Sequence, residues 1–141
     1  MTPTLFGRIQ TRVLVVLVVG LAWTVIVTPF LPAGDVPLGD VYSTTFQAVF
    51  ITAILGAMMW EPIYHVLQQF RWEKDWPTGL GLLTAIPEGI VVFAVLQGSG
   101  PVPGAAFFWH FLTTWLLVWF VINGPLRVLL PRWRFRGGRF L

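Results

Sequence analysis

Four stretches of the chain carry almost no polar residue, at 13–31, 43–60, 79–97 and 105–123. Each is 18 or 19 residues long. At about 1.5 Å per residue such a run matches a hydrocarbon core about 30 Å thick. The pattern predicts an all-α membrane protein with four transmembrane helices. The three connections differ in kind. Residues 32–44 hold Pro, Gly and two Asp, residues 61–78 are the longest and most polar, and residues 98–104 read Gly-Ser-Gly-Pro-Val-Pro-Gly, a turn rich in helix breakers. Residues 127–141 form a basic tail. No repeat or low-complexity tract divides the chain, so 1–141 reads as a single domain. The first run exceeds the usual apolar length of a cleaved signal peptide and lacks a clean small-x-small site, so it is expected to stay as a membrane anchor.

Segment 62–72 supports two readings. Glu61, His65, Gln68 and Trp72 recur at helical spacing opposite Ile63, Val66, Leu67 and Phe70. That pattern suits a short amphipathic helix lying in the membrane interface. It equally suits a second helix that continues beyond the membrane with a kink at Pro62. The sequence Asp75-Trp76-Pro77-Thr78 then reads as a stop and restart.

Charge adds the orientation. Arg8 and Arg12 precede the first run, Arg71 and Lys74 lie between the second and third, and Arg127, Arg132, Arg134, Arg136 and Arg139 follow the fourth. The other two loops hold no Lys or Arg. All nine basic residues therefore fall on one side of a four-helix topology, which the positive-inside rule makes cytoplasmic. Both termini are expected inside, in a cell membrane. Trp60, Trp72, Trp76 and Trp133 fall near that boundary, where an indole keeps its N–H wet. The preference for Arg over Lys suits a bacterial source.

Composition excludes several functions. The chain is 56% hydrophobic and 11% charged, whereas a soluble domain carries about 25% charged residues. With no cysteine, thiol catalysis, disulfides and Cys-ligated metals are ruled out. No Walker loop, dinucleotide fingerprint, nucleophile elbow or zinc motif is present. No cofactor, bound metal or nucleic acid is expected, and the chain does not read as an enzyme.

Glu88 is the first candidate for chemistry, in the middle of the third run and flanked by Pro87 and Gly89. A charged group at that depth costs upwards of about 2.5 kcal/mol unless it is paired. No Lys or Arg lies inside any run, so its carboxyl is expected to stand there uncharged, bonded to a Thr or His neighbour. On helical spacing Gly81, Thr84, Ala85 and Val92 share its side, while Leu83, Ile86, Ile90 and Phe93 face away. In the fourth run His110 shares a side with Thr113 and Thr114, with Phe108, Leu112, Trp115 and Trp119 opposite. Counting from the 98–104 turn, Glu88 and His110 differ in depth by about 5 Å, so a Glu88–His110 contact is feasible. The intramembrane polar candidates are thus Glu88, His110, Thr113, Thr114 and Thr84.

Small residues recur every four positions at Gly20, Thr24 and Thr28, and at Ala48, Thr52 and Gly56, as close helix packing requires. Glu61 and His65 are expected to meet in the interface rather than bind metal. The tail residues Arg132, Arg134, Arg136 and Arg139 suit anionic lipid at the cytoplasmic face, each contributing about 1 kcal/mol, or a docked protein. Two functions fit these observations. The chain is expected to be a non-catalytic accessory or assembly subunit of a larger membrane complex. The alternative is a small homo-oligomeric transporter or channel that couples protons or cations through Glu88, with His110.

Overall fold

In the computed structural model, residues 3–73 and 76–141 are described. Lys74 and Asp75, counted above in the basic side and the stop-and-restart sequence, lie outside them. All regular elements among the described residues are helical. Four helices are long and apolar enough to cross a membrane. They are α1 (Leu5–Phe30), α2 (Leu38–Gln69), α3 (Leu80–Gln97) and α4 (Gly104–Leu129). A short α5 (Pro131–Phe135) follows.

Each element has a local cause. Thr4 caps α1, its hydroxyl accepting from the Gly7 N–H at 3.1 Å, which supplies one of the donors a helix start leaves open. The first helix then runs through a π-helical turn at Val16–Gly20 and ends in a 3₁₀ turn at Thr28–Phe30. Pro32, just beyond, cannot continue it. The second helix carries a π turn at Gly56–Trp60 and continues directly into Glu61–Gln69. Residues 61–69 are therefore a continuation of α2. Pro62 sits in the first α-helical turn after the π segment, where its missing N–H is tolerated. Thr84 interrupts α3 briefly, and the helix restarts at Ala85. Pro87 thus falls in a first turn and does not break a continuous helix.

Two apolar clusters fill the interior. Val15 and Val16 of α1, Val49 and Ala53 of α2 and Val118 of α4 form one. Ala48 of α2, Val92 and Leu96 of α3 and Phe107 of α4 form the other. Helices α2 and α4 thus contribute to both, while α1 and α3 stand on opposite sides. The small-residue stripes lie where close packing needs them: Gly20, Thr24, Thr28, Ala48, Thr52 and Gly56 are all buried. A Cβ on Gly20 would press against Val49. Outward, Val18, Ile54, Met58, Leu83, Ile86 and Ile90 are exposed. Large apolar side chains around a whole bundle suit lipid as solvent.

Two face assignments need correction. Phe93 packs on Phe107, ring centroids 5.0 Å apart, and does not face away. Trp115 is buried, donating from Nε1 to the Gly81 carbonyl at 2.9 Å, and Trp119 donates to the Thr78 carbonyl at 3.0 Å. Both rings dock α4 on the start of α3, because an indole N–H in an apolar setting seeks an acceptor.

The chain ends meet. The backbone N–H of Thr4 donates to Gly137 O at 3.0 Å, and Thr11 Oγ1 donates to Gly138 O at 2.9 Å. Trp133 is 3% exposed and donates from Nε1 to Thr11 Oγ1 at 2.8 Å, so its N–H is held by protein rather than water. Gly137 and Gly138 have φ of 63° and 86°, a region glycine adopts at no steric cost. Gly7 permits the close approach, since a Cβ there would collide with the Gly137 carbonyl oxygen. The tail is a strap on α1, yet Arg132, Arg134, Arg136 and Arg139 all stay exposed.

Candidate functional site: a buried ion network beneath a cavity

Near the end where the termini meet, the bundle interior is charged. Arg8 and Arg12 lie four apart on one face of α1. Glu61, Tyr64 and Gln68 share a face of α2, and Glu88 approaches from α3. Glu88 is 1% exposed. Its Oε1 accepts from Arg12 Nη2 at 3.0 Å and from the Tyr64 hydroxyl at 2.8 Å, and its Oε2 accepts from Arg12 Nη1 at 2.9 Å. This is a bidentate fork, the strong form of a guanidinium–carboxylate pair. Arg12 also donates from Nε to Glu61 Oε1 at 2.9 Å. Arg8 donates from Nε to Glu61 Oε2 at 2.7 Å and from Nη1 to Gln68 Oε1 at 3.2 Å. The guanidinium of Arg8 lies 4.9 Å from the Trp76 ring centroid and that of Arg12 lies 5.1 Å from Trp115, within cation–π range.

Local sequence makes this possible. Gly56 opens a lane for Arg12, whose Cδ would lie 2.9 Å from a Cβ at that position. The π turn that begins at Gly56 adds a residue to the helical period, and π turns recur at functional positions. The buried series Ala48, Thr52, Gly56 therefore resumes at Glu61 instead of residue 60. Arg12 reaches across the bundle from α1 to α3, so three helices are tied by one cation.

Glu88 thus points inward, as its helix face implied, but its partners differ from those expected. It is engaged by Arg12 and Tyr64, and His110 is held elsewhere. Arg12 was placed in the flank of the first apolar run, and α1 in fact begins at Leu5 and carries Arg12 inside the bundle. The expectation of an uncharged Glu88 rested on the absence of a basic partner, and that premise fails.

His110, also 1% exposed, belongs to a second polar group. Its Nε2 lies 2.8 Å from Thr24 Oγ1. Thr24 donates its own proton to Gly20 O at 2.7 Å, so the imidazole Nε2–H is the donor to Thr24. Thr28 Oγ1 donates to Thr24 O at 2.6 Å and stands 3.1 Å from Thr45 Oγ1. His110 Nδ1 and Thr114 Oγ1 are buried without a partner among the described residues. Thr113 accepts from Trp23 Nε1 at 3.0 Å, and Thr84 bonds back to Gly81 O at 3.1 Å. His65 and Glu61 do not form the expected pair: Glu61 turns to Arg8 and Arg12, and His65 Nδ1 has no partner among the described residues. No group of His, Asp or Glu among the described residues has the arrangement of a metal site.

Above the ion network lies a cavity of about 290 Å³. Arg8, Arg12, Glu61 and Arg127 provide its charged lining. Trp76, Trp115, Trp119 and Trp133 give it aromatic walls. Arg127 Nη2 donates to Asn123 Oδ1 at 2.9 Å, while its Nε is buried with no partner among the described residues. Sequence reasoning did not single out Arg8, Arg12, Tyr64, Gln68 or Arg127. One signal was present: the stripe Thr28, Thr24, Gly20 continues in steps of four through Val16 to Arg12 and Arg8. No known family model, curated protein or solved structure matches the chain.

Proposed function

We propose that the protein is a non-catalytic accessory or assembly subunit of a larger complex in the cell membrane, with both termini in the cytoplasm. One observation carries the reading. The Glu88 carboxylate is fully engaged by the Arg12 fork and the Tyr64 hydroxyl, which suits a lock holding α1, α2 and α3 in register better than a group that loads and releases a cation. Breaking a buried pair costs about 3–5 kcal/mol, so such a lock is rigid. The orientation draws on the positive-inside rule and on the meeting of the two chain ends. The exposed arginines of the strap give that end a basic surface for anionic lipid or a docked protein.

Purification of the full chain from its native membrane in mild detergent tests the reading. It predicts fixed stoichiometry with other membrane subunits, and an assembly weakened in Glu88→Gln to the extent that the bundle itself is destabilised. A discrete homo-oligomer that conducts protons or cations in liposomes, and loses that flux in Glu88→Gln, would establish the transport reading instead.

A further inference from the structure

We propose that the cavity at the strap end holds the headgroup of an anionic phospholipid, with Arg127 meeting its phosphate. The inference rests on the bilayer placement above, though not on the subunit reading. Charge is the first argument. Three guanidiniums line the cavity, from Arg8, Arg12 and Arg127. Two carboxylates, Glu61 and Glu88, engage Arg8 and Arg12. Among the described residues the Arg127 side chain has only the neutral Asn123 side chain as a hydrogen-bond partner, and its Nε has none. Arg127 is partly exposed with its Nε buried, and no carboxylate meets it among the described residues; a phosphate oxygen would supply both the charge and the missing acceptor.

Size and lining are the second argument. A volume of about 290 Å³ lies just below the roughly 300–1,000 Å³ range of pockets for whole small-molecule ligands, which suits a headgroup. The indole N–H groups of Trp115, Trp119 and Trp133 are already bonded within the protein. The rings of Trp119 and Trp133 offer apolar surface to glycerol and upper acyl carbons. Position is the third. Val128 and Leu129, the next residues along α4 from Arg127, are 78% and 73% exposed. An acyl chain leaving the cavity there meets apolar surface, which favours a lipid over a soluble anion.

The test uses the purified full chain without partners, so its failure is separate from that of the subunit reading. Lipid retention is measured by native mass spectrometry on protein exchanged into phosphatidylcholine, with phosphatidylglycerol titrated in. The wild type should retain phosphatidylglycerol selectively. Arg127→Gln should weaken it by about tenfold or more, the scale of a charged hydrogen bond. The Arg132→Gln/Arg136→Gln variant, which thins the exposed basic surface without altering the cavity lining, should lose much less than Arg127→Gln. Equal retention of phosphatidylcholine, an unaffected Arg127→Gln, or loss in the strap variant equal to that in Arg127→Gln would overturn the proposal. So would displacement by inorganic phosphate alone, which would mark a soluble-anion pocket. Should Arg127→Gln not fold, a phosphatidylglycerol analogue with a photoreactive headgroup decides on the wild type. Labelling of Trp119 or Asn123 supports the site, and labelling confined to residues 132–139 overturns it.

Discussion

The interior of this bundle is polar in two places, and the two are built differently. At the strap end, Arg8, Arg12, Glu61 and Glu88 form a chain of ion pairs between 2.7 and 3.0 Å. Further along the bundle, Thr24, Thr28, Thr45 and His110 form a chain of neutral hydrogen bonds. Both bring polar groups together inside the bundle, but they differ in what a single change leaves behind. A threonine hydroxyl also bonds back to its own helix, as Thr24 does to Gly20 O and Thr52 to Ala48 O, and losing one leaves no charge behind. The ion pairs join separate helices, and removing one member leaves an opposite charge buried. The first region ties helices together through charge, while the second joins α1 to α4 and to α2 through single neutral hydrogen bonds.

The largest expected effect is therefore in the ion network. Arg12→Leu should destabilise the bundle by about 3–5 kcal/mol, because both Glu61 and Glu88 lose a partner. A thermal melt in detergent reads this directly. Raising salt should hardly change the wild-type melting temperature, since buried pairs are screened far less than exposed ones. A melt that falls steeply with salt would place the network in water.

Gly7→Ala should come next. Its Cβ would collide with the Gly137 carbonyl, and overpacking of that kind costs about 1–3 kcal/mol. The strap, rather than the bundle, should yield. Limited proteolysis of the tail should accelerate while the helical content stays. Unchanged protection would mean that the strap is not held at Gly7.

Thr45→Val should have the smallest effect, about 0.6 kcal/mol, the average of interhelical hydrogen bonds in membranes. Thr28 keeps its bond to Thr24 O without it. A loss as large as that of Arg12→Leu would erase the distinction between the two regions.

Much of the fold was legible because hydropathy acts on every residue of a span. The four runs, the inward face of Glu88 and the small-residue stripes all follow from it. The ion network was less legible for a physical reason. Charge was read as a marker of where a helix leaves the membrane, so Arg8, Arg12 and Glu61 were assigned to flanks. In the bundle opposite charges meet, and helix α1 begins at Leu5 to carry both arginines inward. The π turn at Gly56–Trp60 hid the rest. It shifts the buried face of α2 by one residue, which a constant 3.6-residue period cannot follow. Pairing across α1 and α3 is a tertiary fact with no local signal; the shared side of His110 and Thr114 is local and is buried in the structure, while the His110 partner, Thr24, lies on another helix.

The most direct test of the account is a double-mutant cycle on Arg12 and Glu88, with Arg12→Gln, Glu88→Gln and both together, read as unfolding free energy in detergent. The account predicts strong coupling, at the upper end of the roughly 0.5–3 kcal/mol seen for residues in contact, so that the double variant is much less damaged than the sum of the single ones. Additive losses would show that Arg12 and Glu88 do not hold each other, and would contradict the structural lock.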